Sequence, residues 1–406
     1  MTTQTLIIGG GIAGITAAVE LAEAGKPVVL IEKENYLGGN VSSFNNYFPK
    51  FCPPACGLEI NFSRIRSNPR ITYYTGASVS SVCGSDGDFR VKIAIEPRLV
   101  NNQCTACGLC AGVCPEERPP EAGRKTGEKA AYIPMGLAFP MKYSIDPSVC
   151  TREACGKCLE VCDYEAIQLN AVAAEVEIQV GKILVATGWK PYDPARIENY
   201  GYQESVDVVS NLEFEKMLAA CTRDQTQLTR PSDGLVPKRI AFVQCAGSRD
   251  VNHLPYCSAV CCSASLKHAL TLESQYPGLH AEIFYIDIRL SGRNEKLLKE
   301  LEAKDRIRLT KGKVGKIWQQ DPGKQLALEV EDMGQGLRRK DHFDMVVLAM
   351  GLTPNHVEAD LKVNEYGFYL SRQEPGIVPA ATCKRPMDVS SAVKDATASA
   401  LKTLQR

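Results

Sequence analysis

Thr5-Leu-Ile-Ile-Gly9-Gly-Gly11-Ile-Ala13-Gly14, followed by Val28-Val-Leu-Ile31-Glu32 after an alanine-rich stretch that ends near Ala24, reads as a strand, a helix and a second strand. The spacing is that of a dinucleotide-binding β-α-β unit. Gly9 permits the tight turn, and Gly11 lets the backbone approach a pyrophosphate at the helix N-terminus. Gly14 lets the helix lie close on the strand, and Glu32 stands where an acidic side chain accepts from ribose hydroxyls. A lone G-x-G-x-x-G is weak evidence, but here the strand, the helix and the acid at the right distance all agree.

The continuation, Glu32-Lys33-Glu-Asn-Tyr-Leu-Gly38-Gly39-Asn40, resembles the second signature of glutathione-reductase-like flavoproteins, where the double glycine passes the diphosphate. That resemblance implies FAD rather than NAD at this first site. It also implies a segment near Val79 against the adenine, the Ala186-Thr187-Gly188 turn near the flavin, and a last strand and helix reached through Thr382. The cofactor-lining residues expected are therefore Gly9, Gly11, Ala13, Gly14, Glu32, Lys33, Gly38, Gly39, Asn40, Val79, Ala186, Thr187, Gly188 and Thr382. The turn at Ala381-Thr382 lacks the usual Gly-Asp, which weakens one FAD contact. The final helix, Asp388 to Leu401, can still aim its positive N-terminus at the flavin. The fold class expected is α/β: a glutathione/thioredoxin-reductase-like pair of Rossmann units with an inserted two-cluster ferredoxin domain. Its divisions are 1–97 (FAD domain), 98–170 (the insert), 171–237 (FAD domain continued and connector), 238–342 (second Rossmann-like domain) and 343–406 (return to the FAD domain).

The insert carries the most specific pattern in the chain. Cys104-Thr-Ala-Cys107-Gly-Leu-Cys110-Ala-Gly-Val-Cys114-Pro115 is C-x2-C-x2-C-x3-C-P, and Cys150, Cys155, Cys158 and Cys162 repeat it as C-x4-C-x2-C-x3-C. In two-cluster ferredoxins the fourth cysteine of a run serves the other cluster. The spacing predicts one [4Fe-4S] cube on Cys104, Cys107, Cys110 and Cys162, and another on Cys114, Cys150, Cys155 and Cys158. Zinc and a disulfide framework are the alternatives. The charged, proline-rich segment from Glu116 to Glu128 reads as a solvated loop or a partner contact.

In the second Rossmann-like unit, Arg239-Ile-Ala-Phe-Val-Gln is a buried strand, but no second glycine fingerprint follows. The turn is Gln244-Cys245-Ala-Gly-Ser-Arg-Asp250, which argues against NAD(P)H binding. Cys245, Cys257, Cys261 and Cys262 come instead, the last pair running into a helix. They can close a third [4Fe-4S] site; a redox-active thiol group and buried free cysteines are the other readings. Lys267 follows Cys262 by a little over a helical turn and can approach a flavin or a cluster, as an alternative to an ordinary surface position. Cys52 and Cys56, in Phe48-Pro-Lys-Phe-Cys52-Pro-Pro-Ala-Cys56, are a redox pair, extra metal ligands or packed thiols. The five histidines are scattered and read as surface or packing residues, so no acid–base catalytic group is legible.

The whole chain sets bounds on these readings. At 406 residues it has room for two or three domains. Apolar residues make up 44%, charged residues 23%, and the formal net charge is zero, so nothing points to nucleic acid or an acidic membrane surface. Seventeen cysteines without a secretory segment are expected in a reducing compartment, where they bind metals or do redox work. No apolar run reaches the roughly 20 residues of a membrane span. The expectation is a cytoplasmic protein, held at a membrane only through partner subunits.

With these residues assembled, the chain resembles the A-type subunit of heterodisulfide reductase. The marks are Gly9 to Gly14, the eight-cysteine insert, Gln244 to Asp250 and Cys257-x3-Cys261-Cys262. The resemblance implies a third cluster on Cys245, Cys257, Cys261 and Cys262, and a catalytic role for Lys267 near flavin N5. Full-length members carry further cluster-binding regions at both ends. In lacking them, the sequence is more similar to the A-type subunit of the quinone-interacting membrane-bound oxidoreductase complex of sulfate reducers. That implies an oxidoreductase subunit passing electrons between FAD and [4Fe-4S] clusters, between the menaquinone pool and adenylylsulfate reductase. Its partners would be a second flavoprotein of the same family and a membrane quinone-reactive subunit. The alternative is one component of a soluble heterodisulfide reductase. A stand-alone NAD(P)H or disulfide reductase, and a scaffold with a structural flavin, are the competing classes.

Overall fold

The computed structural model describes residues 4–119, 128–319 and 325–405. Strand β1 (Thr5–Ile8) is buried at every position, as a parallel strand covered on both faces must be. Helix α1 (Ile12–Glu23) starts directly after the glycine turn and returns the chain to β2 (Val28–Glu32), parallel to β1. Helix α2 (Ala55–Ser67) and β3 (Ile71–Thr75) add the next crossover. Two glycines set this geometry. A Cβ on Gly14 would lie 1.8 Å from the Gly9 carbonyl oxygen, so α1 sits on β1 closer than any side chain allows. Gly9 has φ +106°, and a Cβ there would meet the Ala186 carbonyl oxygen at 2.4 Å.

A hairpin follows, β4 (Ala77–Ser85) and β5 (Asp88–Ile95). The cysteine segment then holds α3 (Leu109–Val113), the two-residue strands β6 (Ala131–Tyr132) and β7 (Ser144–Ile145), and α4 (Lys157–Glu160). Strand β8 (Ala174–Val180) pairs antiparallel with β5. The segment thus leaves and re-enters between neighbouring strands, and a Val100–Ile167 bridge closes its base. Its own core is small: Leu99, Val100, Ala131, Ile145, Ala166, Ile167 and Leu169, with six cysteines among or against them. Arg98, which bonds Thr75 and the Asn35 carbonyl, and Phe139 tie it to the first Rossmann unit. Phe139 is buried in that unit's core, stacks on Phe62 at 5.1 Å, and accepts from Leu37 N at 2.7 Å through its carbonyl. Most of the proline-rich segment between the two cysteine sets lies outside the described residues.

Strand β9 (Lys182–Val185) pairs with β1, and β10 (Trp189–Pro191) carries the chain across to the second unit. There β11 (Val208–Ser210) leads into α5 (Asn211–Asp224) through a capping box of Ser210 and Glu213. The alternation continues with β12 (Arg239–Ala246), α6 (Cys261–Gln275), β13 (His280–Tyr285) and α7 (Glu295–Glu302). An antiparallel run closes the unit: β14 (Ile307–Gln319), β15 (Leu326–Asp332) and β16 (Leu337–Phe343). Strand β17 (Met345–Met350) follows, then β18 (Leu352–Pro354), β19 (Ile377–Pro379) and α8 (Val389–Leu404).

The strand orders are β19-β9-β1-β2-β3 in the first sheet and β11-β17-β12-β13-β14-β15-β16 in the second. This departs from the division read from sequence in two places. Strand β17, expected to return the chain to the first domain, lies inside the second sheet between β11 and β12, and the crossing back comes at β18. Strand β11, expected in the connector, is the edge of that sheet. Met345-Val-Val-Leu-Ala-Met is apolar at every position, so its composition suits a central strand of either sheet and cannot choose between them.

Candidate functional site

The strand ends, the insert and the second unit enclose one large cavity of about 2370 Å³. That exceeds the ~300–1,000 Å³ of an ordinary small-ligand pocket and gives room for an extended dinucleotide. Gly9, Gly11, Ala13, Glu32, Lys33, Gly38, Gly39, Asn40, Val79, Ala186, Thr187, Gly188 and Thr382 all line it. Gly14 does not, because its role is the contact with Gly9. A Cβ on Gly11 would meet nothing nearer than Gly39 Cα at 3.9 Å, so this turn leaves open space for a pyrophosphate.

Several of these residues have protein partners of their own. Glu32 accepts from Gly10 N at 2.6 Å and from Glu34 N at 2.8 Å, bracing the glycine turn. Its carboxylate is packed in deeply although part of the residue stays open, and burial raises it to about 7 against the pull of those two amides. Asn40 donates to the Trp189 carbonyl at 2.9 Å. Thr187 donates to the Asn355 carbonyl at 2.8 Å and Asn355 donates back at 3.0 Å, locking the Ala186-Thr187-Gly188 turn to the residue after β18. The N-terminus of α8, capped by Asp388 at 2.7 Å from Ser391 N, also faces the cavity.

Lys267 is buried rather than at the surface, and it lines this cavity. Its ammonium donates to the Asn46 carbonyl at 2.9 Å and pairs with Glu215, which also meets His268. Glu215 further accepts from Asn45 N at 2.8 Å and Asn46 N at 3.3 Å. Burial alone would raise the Glu215 carboxyl, but Lys267 and His268 override it and hold it at about 2. Burial pushes both Lys267 and His268 toward neutrality. The arrangement consistent with all three is a Glu215–Lys267 ion pair beside a neutral His268 carrying its proton on Nε2. His268 Nδ1 is buried without a partner among the described residues, which an unprotonated nitrogen tolerates better than an N–H would. Glu215 and His268 are not legible as site residues in the sequence. The one signal is a carboxylate falling on the α5 face that also holds Phe214 and Leu218.

The eight cysteines of the insert lie around two short helices built alike. Gly108 (φ +87°) precedes α3 and Gly156 (φ +64°) precedes α4. Ala106 N donates to Cys104 Sγ at 3.4 Å, and Arg152 N to Cys150 Sγ at 3.3 Å. Burial pushes Cys110 up to about 11, with Cys104 and Cys107 as its charged neighbours and Cys158 beyond them. Burial likewise raises Cys158, whose neighbours are Cys150, Cys114 and Cys155. Cys158 thus has the other three cysteines of its expected set around it, Cys110 has two of its own set and Cys158 of the other, and Cys162 accepts from Ala166 N at 3.4 Å. Among the described residues, no three Cys, His, Asp or Glu side chains are drawn in tightly enough to hold a single metal ion. The insert also reaches the cavity, which Arg118 and the 132–137 segment help to line.

In the second unit the expected nucleotide turn is replaced by a longer excursion from Gly247 to Val260 before α6. Cys245, Cys257, Cys261 and Cys262 are electrostatic neighbours, and burial raises three of them, Cys245, Cys261 and Cys262. Three non-glycine residues here take left-handed backbone, Cys245 (φ +57°), Arg249 (φ +59°) and Ala259 (φ +61°), a concentration of strain found at functional sites. Ala259 N donates to Cys257 Sγ at 3.4 Å and Arg289 N to Cys262 Sγ at 3.5 Å. Cys52, ahead of α2, lines the cavity, and Cys56, in the first turn of α2, is exposed.

A family model described as an NAD(P)-binding Rossmann-like domain matches residues 7–71. The A-type subunit of the H(2):CoB-CoM heterodisulfide,ferredoxin reductase of Methanothermobacter marburgensis is 35% identical over 390 residues, 95% of this chain and 58% of that protein. The chain is homologous to the A-type subunits of heterodisulfide reductase. An A-type iron-sulfur subunit of the CoB–CoM heterodisulfide reductase of Methanopyrus kandleri is 36% identical over 419 residues, 98% of this chain and 64% of that protein. The chain therefore spans about three-fifths of the length of these curated relatives. Among solved structures, Lactococcus lactis thioredoxin reductase superposes with a TM-score of 0.55 at 15% identity, covering 99% of this chain and 98% of that one. The fold is that of the thioredoxin-reductase-like two-Rossmann flavoproteins. Among the described residues no helix is long and apolar enough to cross a membrane.

Proposed function

We propose that this chain is the electron-transferring flavoprotein of a heterodisulfide-reductase-type complex, holding FAD in the large cavity and three [4Fe-4S] clusters on its twelve motif cysteines. The observation that carries the reading is that one cavity is lined at once by the glycine turn, by α6 just beyond Cys261–Cys262, and by the cysteine insert. FAD when bound supplies the exchange between two-electron and one-electron chemistry, and cubes supply one-electron transfer. Gly9, Gly11, Gly38 and Gly39 would hold the pyrophosphate, and Glu32 the ribose. Lys267, kept charged by Glu215, would place a proton donor at the flavin ring. Spacing supports Cys104, Cys107, Cys110 and Cys162 for one cube, and spacing together with the neighbours of Cys158 supports Cys114, Cys150, Cys155 and Cys158 for the second. Cys245, Cys257, Cys261 and Cys262 would hold the third.

The named relatives are subunits of CoB–CoM heterodisulfide reductases, and they support the heterodisulfide reductase reading over the quinone-linked sulfate-respiration reading. Anaerobic purification of the full chain under mild detergent tests both. Expected are one FAD, about twelve irons and EPR signals of three reduced cubes. Fewer than about eight irons would overturn the cluster assignment. A membrane quinone-reactive protein in the eluate would favour the sulfate-respiration reading, and rapid bleaching of the flavin by NADH would revive a stand-alone reductase.

A further inference from the structure

Gln244 ends the regular part of β12 and carries a buried side-chain amide whose nitrogen and oxygen both lack a partner among the described residues. Ser265, fully buried on α6, has an equally unpartnered hydroxyl. Leaving such a group unsatisfied is costly, because its hydrogen bonds to water are lost and nothing replaces them. The amide N–H and the hydroxyl are buried donors without an acceptor among the described residues, and they point to an acceptor that belongs near them.

Position on the elements indicates where that group sits. Ile240 and Phe242 of β12 pack in the cluster that also contains Cys262, Leu266 and Ala269 of α6, while Ala241 and Val243 pack on the opposite face. Alternation along the strand places Gln244 with Ile240 and Phe242, facing α6. The strand register then shifts between Val243 and Ala246, and Cys245 takes its left-handed turn. On α6, Ser265 follows Cys261 by four residues and Cys262 by three, so it shares their side of the helix. Gln244 and Ser265 thus flank the four-cysteine group from its two supporting elements. Backbone donors already serve Cys257 and Cys262 from other directions.

We infer that Gln244 and Ser265 are positioning residues for the iron–sulfur site of the second Rossmann unit, donating N–H and O–H hydrogen bonds to its sulfurs. The inference rests on the third-cluster reading. Hydrogen bonds to cluster sulfur stabilise the more negative, reduced state, so they raise the reduction potential. Losing one such bond is worth about a tenfold change in the reduction equilibrium, or about 59 mV for one electron.

The test is an EPR-monitored redox titration of the full chain, comparing wild type with Gln244→Leu and Ser265→Ala. The two ferredoxin-type cubes serve as internal controls. One of three signals should shift to lower potential by about tenfold in equilibrium constant in each variant, with the other two unmoved. Gln244→Met, closer in shape, provides the same comparison if the leucine variant fails to fold. Three signals that all keep their potentials, with only stability lowered, would overturn the inference and leave the two residues as holders of a buried water. A chain with about eight irons and two signals would instead overturn the third-cluster reading itself.

Discussion

Glu32 shows how burial can work against the ionised form that a side chain's hydrogen bonds favour. Burial raises it to about 7, so between the ordinary carboxylate value and 7 the folded chain favours the protonated acid. A ribose hydroxyl donating to it needs the ionised form. FAD binding should therefore expel a proton below pH 7, and affinity should weaken up to about tenfold per pH unit as pH falls below 7, levelling off above it. Flavin-fluorescence titrations from about pH 5.5 to about 8.5 measure this, and Glu32→Gln should flatten the profile. Glu215 has the reverse sign. Its lowered value means that it adds stability above the ordinary carboxylate range, and that this is lost as pH falls toward 2. It takes both amides of the Asn45–Asn46 turn and neutralises buried Lys267. Glu215→Gln leaves that ammonium without a counter-charge, and should cost about 3–5 kcal/mol in chemical denaturation at pH 7. A cost below about 1 kcal/mol would mean that the pair is solvated in solution.

At the level of elements, the glycines of α1 and α2 make a paired experiment. Alanine is favoured over glycine inside a helix by about 1 kcal/mol. At Gly57 in α2 an added Cβ meets nothing within 4 Å, so Gly57→Ala should raise stability by about 0.4–1 kcal/mol. At Gly14 the same methyl falls 1.8 Å from a backbone oxygen, so Gly14→Ala should lower the melting temperature and the flavin-to-protein ratio together. Calorimetry and the visible spectrum decide both signs. Gly14 is readable from the motif alone, because close helix–strand packing is a local demand that the spacing encodes. The eight insert cysteines are readable for the same reason, their ligand geometry being fixed over a few residues. Strand β17 is not, because its all-apolar sequence suits either sheet and only the long-range pairing with β11 and β12 assigns it. Phe139 and the Glu215–Lys267–His268 group are hidden likewise, since their partners lie far away in sequence.

Across the whole molecule, stability is unevenly distributed. The two parallel sheets have broad apolar cores built from strands buried on both faces. The insert has a few small and medium side chains, two strands of two residues and helices of five and four residues. A core that small leaves the unit marginal, and with clusters on its cysteines its fold would depend on them. Its attachment is firmer than its interior, because Phe139 sits in the first unit's core and bonds Leu37. Removing iron under anaerobic conditions should therefore open the segments around Cys104–Cys114 and Cys150–Cys162, while the two sheets, the Phe139 anchor and the flavin are retained. Limited proteolysis with mass spectrometry on holo and iron-depleted protein should show first cuts in those two segments only after depletion, with the visible flavin spectrum unchanged. Loss of the flavin at the same iron-removal step would show that the insert wall at Arg118 and residues 132–137 holds the cavity closed, and that the three units stand or fall together.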